Sequence, residues 1–256
     1  MLGRVLVLVL FLILAVPALA AARPAVEPPT APTRLFIPHI SRDVCGDFFD
    51  DFSTATGWFT GERDGLRAEV AEGEYRLLIT RPGHVWMVGS PDCARHPYRA
   101  EVDARWAGRP GNFYGLLFAI DGQLDQSYLL AVDSADGVWL VFRITPDSMV
   151  TVVEPTANDA IHPGNQVNRL AVAPAGGRVL FAINGTIVGQ LPDPRPGTAQ
   201  GVGLVAASSI HHAPADARFD NFTHQGLAAG AWRAARGEGQ GTDDALLKPG
   251  LAGTGE

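Results

Sequence analysis

Between Asn112 and Ile144 the chain reads NFYGLLFAIDGQLDQSYLLAVDSADGVWLVFRI, and this stretch restricts the fold more than any other. Three apolar segments, LLFAI, YLLAV and VWLVF, are separated by AIDGQLDQS and DSADG, whose Gly and Asp residues are turn punctuation. The reading is three consecutive strands in an antiparallel meander. Almost every position in them is apolar, which predicts strands covered on both faces and placed in the middle of a sheet. None of the three carries a catalytic motif.

The neighbouring sequence repeats the pattern. LRAEVAEGEYRLLIT reads as a hairpin turning near Glu72-Gly73, HVWMVG and SMVTVV as single strands, and GVGLVAAS and DARFDNFTH as the closing pair. In PYRAEVDARWAG the alternation is clean: Ala100, Val102, Ala104 and Trp106 share one face, and Arg99, Glu101, Asp103 and Arg105 share the other. One side of this strand is expected to pack and the other to be wet. Asn184-Gly185, between two apolar runs, is the strongest hairpin signal, because a two-residue type I′ turn needs positive φ at both positions. Ala175-Gly176-Gly177 marks a similar turn. In DARFDNFTH the alternation puts Ala217, Phe219, Asn221 and Thr223 opposite Arg218, Asp220 and Phe222. About a dozen short strands and no convincing helix predict an all-β, two-sheet antiparallel β-sandwich.

The ends have a different character. Leu2 to Val16 is an apolar run with one charge, Arg4, followed by Pro17 and the small residues Ala18 to Ala22. It is short for a bilayer span and has the form of a secretory signal peptide over residues 1–22; an uncleaved anchor is the alternative. Residues 23–43 read as a Pro-rich linker containing LFIPHI, which is either a short edge strand interrupted by Pro38 or an apolar tail. Residues 44–225 form the folded domain, and 226–256 a low-complexity tail in which Leu227 to Arg236 has the makings of a helical turn or two with Trp232 packing back. The protein is therefore expected outside the cytoplasm, with no membrane span once the signal is removed. Its two cysteines, Cys45 and Cys93, then lie in an oxidising compartment and are expected to pair. Twenty basic and 27 acidic residues give a net charge of -7 with no basic block, which argues against a nucleic-acid partner.

The order DDFSTATGWF, YRAEVDARWAG, the Asn112–Ile144 meander, NRLAVAPAGGRVLFAINGTIVGQL, GVGLVAAS and ARFDNFTH resembles the concanavalin A-like lectin/glucanase superfamily. Within it the likeness is to laminin-G-like jelly rolls and to the bacterial 3-keto-disaccharide hydrolase type domain. It covers roughly residues 45 to 225 and rests on anchors such as Asp50-Asp51-Phe52, Gly115, Tyr128, Gly137 and Phe219-Asp220-Asn221-Phe222. The resemblance implies a jelly roll whose first and last strands lie side by side, with carbohydrate as the ligand class.

Glycoside hydrolysis needs two carboxylates across the scissile bond. Glu101 and Asp103, two apart on one strand face, are the candidates. Laminarinase-type glucanases resemble this with an acid, an Asp and a second acid along one strand, but Arg105 stands where the further carboxylate belongs. Catalysis is therefore not expected, and a polar face of cross-strand ion pairs is. Sugar binding without chemistry needs aromatic rings and a few planar polar groups. Tyr114, Tyr128, Trp139, Arg143 and Arg105 are the candidates. No cofactor is expected; calcium, used by several relatives at loop edges, would fall to Asp121, Asp133 and Asp136, each of which also reads as a turn former. His211-His212 suggests a metal only weakly, since neighbours on a strand point to opposite faces. The expected function is a secreted, non-catalytic module that binds carbohydrate or another extracellular polymer. The alternatives are a glycoside or 3-keto-glycoside hydrolase, and an adhesion or scaffold module without a small ligand.

Overall fold

The computed structural model describes residues 34–36, 45–54, 57–121 and 126–228. The expected signal peptide over residues 1–22, residues 23–33 and 37–43 of the expected linker, and the expected tail from 229, with the helical turn expected around Trp232, lie outside the described residues. Among the described residues sixteen strands are present and no helix occurs. β1 (Arg34–Phe36) and β2 (Phe48–Asp50) stand on either side of Cys45. A first meander contains β3 (Gly61–Arg63), β4 (Leu66–Ala71) and β5 (Glu74–Ile79), and two longer strands follow, β6 (Val85–Ala94) and β7 (Tyr98–Trp106). The central meander is β8 (Phe113–Ile120), β9 (Ser127–Asp133), β10 (Val138–Thr145) and β11 (Ser148–Ala157). A third comprises β12 (Asn168–Ala175), β13 (Arg178–Ile183) and β14 (Thr186–Pro192), and β15 (Gln200–Ala207) and β16 (Ala215–Gly226) close the series.

These pair into two sheets. The first has seven strands in the order β1-β6-β15-β8-β9-β10-β11; the second has nine, in the order β14-β13-β12-β7-β16-β5-β4-β3 with β2 added to β16. β1 is parallel to β6, and the other pairings are antiparallel. The expected meander is β8-β9-β10, inside the first sheet, and β2 beside β16 puts the opening and closing strands of the domain together.

Strand periodicity explains the layers. Alternate residues such as Tyr114, Leu116 and Phe118 of β8, Val102 and Trp106 of β7 and Leu170 and Val172 of β12 meet between the sheets in one core. Burying a side chain of this size contributes about 1.5–3 kcal/mol. The other parity of the first sheet is apolar too: Met87, Phe113, Leu117, Leu129, Leu140 and Phe142 form a second buried cluster on its outer face. Two apolar faces are why these segments lack alternation. The second sheet differs, because its outer face is charged.

Local chemistry fixes the connections. Asn184 and Gly185 take φ of 50° and 82°, and Glu72 and Gly73 take 60° and 77°, so both expected tight hairpins form. Cys45 and Cys93 are bonded, with Cα atoms 4.8 Å apart. The bond ties the approach to β2, in one sheet, to the end of β6, in the other. The regular alternation expected for DARFDNFTH does not hold. A bulge between Asp220 and Thr223, with Asn221 at φ 52°, inserts one residue and turns Phe222 and His224 inward behind Phe219.

Candidate functional site

β7 lies inside the second sheet between β12 and β16, and its outward residues are Arg99, Glu101, Asp103 and Arg105. Register decides what each one meets. Asp103 stands opposite Arg169 of β12 and Asp220 of β16, so the Arg169 guanidinium reaches it with two hydrogen bonds of 2.7 and 2.8 Å. The bulge delivers a further donor, Asn221 Nδ2, to Asp103 at 3.0 Å. Asp103 in turn holds the Arg169 guanidinium above its ordinary value.

Arg105 stands opposite Arg218 of β16, which stands opposite Arg76 of β5. Three guanidiniums in one cross-strand row repel one another. Carboxylates from the adjoining rows bridge them: Glu74 accepts from Arg105 Nε and Nη2 at 2.8 and 2.6 Å, and Asp216 accepts from Arg76 Nη2 at 2.8 Å and Arg218 Nε at 2.9 Å. Glu69 continues the row by accepting from Arg76 Nη1 at 2.9 Å and Arg67 Nε at 3.0 Å. The Arg76 guanidinium beside Glu69 pulls its carboxyl below the usual range, and Glu74 pushes the Arg105 guanidinium up.

The start of β7 departs from the expected wet face. Arg99 is 4% exposed and Glu101 6%, and they form a short charge-assisted hydrogen bond with each other. Burial pushes the Glu101 carboxyl up and the Arg99 guanidinium down, and their mutual attraction offsets part of both shifts.

The other sequence candidates do not join this face. Tyr114 is wholly buried between the sheets, where its hydroxyl accepts from Asn168 Nδ2 at 2.8 Å. Trp139 is also a core side chain, with its ring packed where a Cβ on Gly189 would stand. Neither ring is offered to a ligand, because both lie on the inward parity of their strands. Tyr128 and Arg143 are cross-strand partners on the first sheet, Tyr128 nearly buried and accepting from Gln126 Nε2 at 2.7 Å, Arg143 exposed. Of the five ligand-binding candidates only Arg105 lies beside Glu101 and Asp103.

Asp121, Asp133 and Asp136 do not fit a calcium ion, which needs six to eight oxygens converging on one point. Asp121 follows the end of β8 and is ion-paired with Arg195, whereas Asp133 ends β9 at the opposite end of that hairpin. Asp133 Oδ1 accepts the N–H groups of Ala135 and Asp136 at 2.9 and 3.2 Å, an Asx turn. Among the described residues no group of three or more His, Cys, Asp or Glu is arranged to hold a metal. His212 Nε2 lies 3.0 Å from the Pro110 carbonyl oxygen.

Reading β7 alone misses Arg169, Glu74, Asp216, Arg218 and Asn221. Parity within each strand would have put Arg169, Glu74, Asp216 and Arg218 on outer faces, but only the strand order brings them to β7.

Comparison with solved structures bears on the fold. A β-glucanase from Bacillus licheniformis superposes with a TM-score of 0.51 at 14% identity, covering 70% of this chain and 98% of that one. A glycosidic hydrolase in its native form gives 0.53 at 12% identity, covering 72% and 97%. The chain has the concanavalin A-like jelly-roll fold. A third jelly roll, described among endo-acting O-glycanases that human gut microbiota members use to initiate mucin breakdown, gives 0.52 at 13% identity, covering 71% and 99%. No protein-family model and no curated protein matches the sequence. At these identities what the jelly rolls share is architecture, and chemistry rests on the residues themselves.

Proposed function

We propose that this jelly roll is an extracytoplasmic, non-catalytic module that binds a neutral, hydroxyl-rich polysaccharide across the outer face of its nine-stranded sheet. One observation carries the reading: both β7 carboxylates are closed by arginines, Glu101 by Arg99 and Asp103 by the fork of Arg169. A glycosidase needs one carboxyl group free to give a proton and another free to attack or to activate water, facing each other across a substrate-sized gap. Here neither is free, and the third position of the strand carries Arg105, clamped on Glu74. What the face offers instead is a lattice of planar guanidinium–carboxylate pairs spaced by the strand separation of about 4.8 Å. Their outward N–H and oxygen edges suit pairs of sugar hydroxyls. Arg169, with its side chain 51% exposed, and the half-buried Arg105 are the accessible members. Roughly equal numbers of the two charges on this face favour a neutral polymer over a polyanion. The carbohydrate-active jelly rolls of similar fold support the ligand class, and the Cys45–Cys93 bond together with the leader supports an oxidising compartment outside the cytoplasm.

Affinity electrophoresis of the purified chain in gels containing soluble β-glucan, mucin-type glycan or a polyanionic control tests this. Retardation by a neutral glycan, reduced about tenfold in affinity by Arg169→Ala, which corresponds to ~1.4 kcal/mol, is expected, with no reducing sugar released. Sugar release that disappears in Glu101→Gln would instead establish the hydrolase alternative.

A further inference from the structure

Toward the β3 edge the outer face of the nine-stranded sheet changes character. A cross-strand row runs there through Glu62, Arg67, Leu78 and Asp216, on β3, β4, β5 and β16. Leu78 shares the outward parity of Arg76, so a half-buried apolar side chain stands among charges. With its neighbours it lines a groove of about 460 Å³, the size of a small-ligand cleft. The groove carries three guanidiniums, Arg63, Arg67 and Arg81, against two carboxylates, Glu62 and Asp64. Arg63 lies 3.8 Å from Asp64 and Arg67 lies 3.8 Å from Glu62, while Arg67 Nε donates to Glu69 at 3.0 Å. The Arg81 guanidinium is exposed and has no partner among the described residues.

Arg81 is nevertheless held in place. Gly65, at φ 89°, completes the turn between β3 and β4, and a Cβ there would lie 2.8 Å from Arg81 Cγ and Cδ. Only a glycine lets the Arg81 stem cross that turn. Thr80 N and Oγ1 both donate to the Gly65 carbonyl, at 2.8 and 3.1 Å, and Ser208 Oγ donates to the Arg81 carbonyl at 2.7 Å. The backbone that carries Arg81 is thus tied to β15 on one side and to the turn on the other. A guanidinium fork offers paired, charge-assisted hydrogen bonds to an oxyanion, and Leu78 offers an apolar surface to a pyranose ring. Glu62 and Asp64 repel a second negative charge, so the groove favours one anionic group over a run of them.

We propose that this groove is a second binding site, which takes a sugar bearing a single oxyanion, a uronate or a sulfate ester, with the Arg81 fork on the anion and Leu78 against the ring. Its chemistry differs from that of the ion-pair lattice around Asp103 and Arg169. The site stands whether or not that lattice binds a neutral polymer.

The test titrates the isotopically labelled full chain with glucuronate, glucose 6-sulfate and glucose, followed at the arginine Nε–Hε and backbone amide signals. Saturable shifts at Arg67, Leu78 and Arg81 are expected with at least one of the anionic sugars and not with glucose, and the tighter of the two identifies the source of the oxyanion. Arg81→Ala removes an exposed side chain and is expected to weaken that binding about tenfold. The same variant is expected to keep its retardation by neutral glycan, so the two sites fail separately. Shifts from neither anionic sugar, glucose, inorganic sulfate or acetate bound there as tightly as the anionic sugars, or an affinity unchanged in Arg81→Ala overturns the proposal.

Discussion

Three buried polar residues show how single side chains set the behaviour of this sandwich. Asn168 is wholly buried, and its amide joins three elements: Nδ2 donates to Tyr114 Oη and the His162 carbonyl, and Oδ1 accepts from His162 N and Asn184 Nδ2 at 2.7 and 2.8 Å. Asn168→Ala orphans all of these groups and is expected to lower stability by about 2–3 kcal/mol, read as a shift of the urea midpoint at unchanged slope. Asp133 behaves differently. Burial holds its carboxyl up at about 6, against an ordinary value of 3.8. The folded chain therefore binds this proton more tightly than the unfolded one, so stability falls as pH rises from about 4 to 6 and the loss is complete above that. Asp133→Asn keeps an acceptor for the Ala135 and Asp136 N–H groups and removes the charge. It is expected to be more stable than the wild type by ~1–3 kcal/mol at pH 7.5 and equal to it at pH 4; a variant less stable at pH 7.5 would contradict this. His224 has the opposite sign, because burial against Phe48, with ring centroids 5.6 Å apart, pushes its pKa down. The unfolded chain then binds the extra proton, and stability is lost as pH falls through about 6.5. His224→Leu is expected to flatten that limb of the stability curve. In the sequence Asp133 was legible as a turn former, because it is followed by Ser-Ala-Asp-Gly. Asn168 was not, since a polar residue before Arg-Leu gives no sign that it will be buried.

At the scale of strands and turns, legibility follows the range of the interaction. The hairpin at Asn184-Gly185 and the inward and outward parity of β7 are local, and both could be read directly. The bulge in β16 could not, because it exists only in relation to the register with β7, and Asn221 reaches Asp103 only through it. The positive φ at Asn221 suits Asn far better than a residue without a short polar side chain. Asn221→Ala is therefore expected to weaken both the bulge and the Asp103 cluster, whereas Asn221→Gly weakens only the latter. The disulfide works between elements as well. It closes a sequence separation of 48 residues and joins the two sheets at one edge, for which the chain-entropy account gives about 4 kcal/mol. Denaturant curves with and without reductant are expected to differ by roughly that amount, and identical curves would show that the bond constrains nothing in the unfolded chain.

Across the whole molecule the two sheets divide the work. The seven-stranded sheet is apolar on both sides, and the nine-stranded sheet joins a packed inner face to an outer lattice of ion pairs. That architecture was readable because strand after strand carried the period, turns and apolar content of a sandwich. The site was only half readable: Glu101, Asp103 and Arg105 were visible on one strand, but their partners come from β5, β12 and β16, brought near by topology. The ion pair that the exposed Arg169 makes with Asp103 is expected to contribute little to stability, so this part of the lattice is expected to matter more for recognition than for folding. The most direct test of that claim is backbone amide chemical-shift mapping of the isotopically labelled protein titrated with a soluble neutral oligosaccharide. Shifts concentrated at Asp103, Arg105, Arg169, Arg218 and Asn221, with the sugar recovered intact, are the predicted result; shifts confined to the seven-stranded sheet, or an oligosaccharide cleaved during the titration, would contradict it.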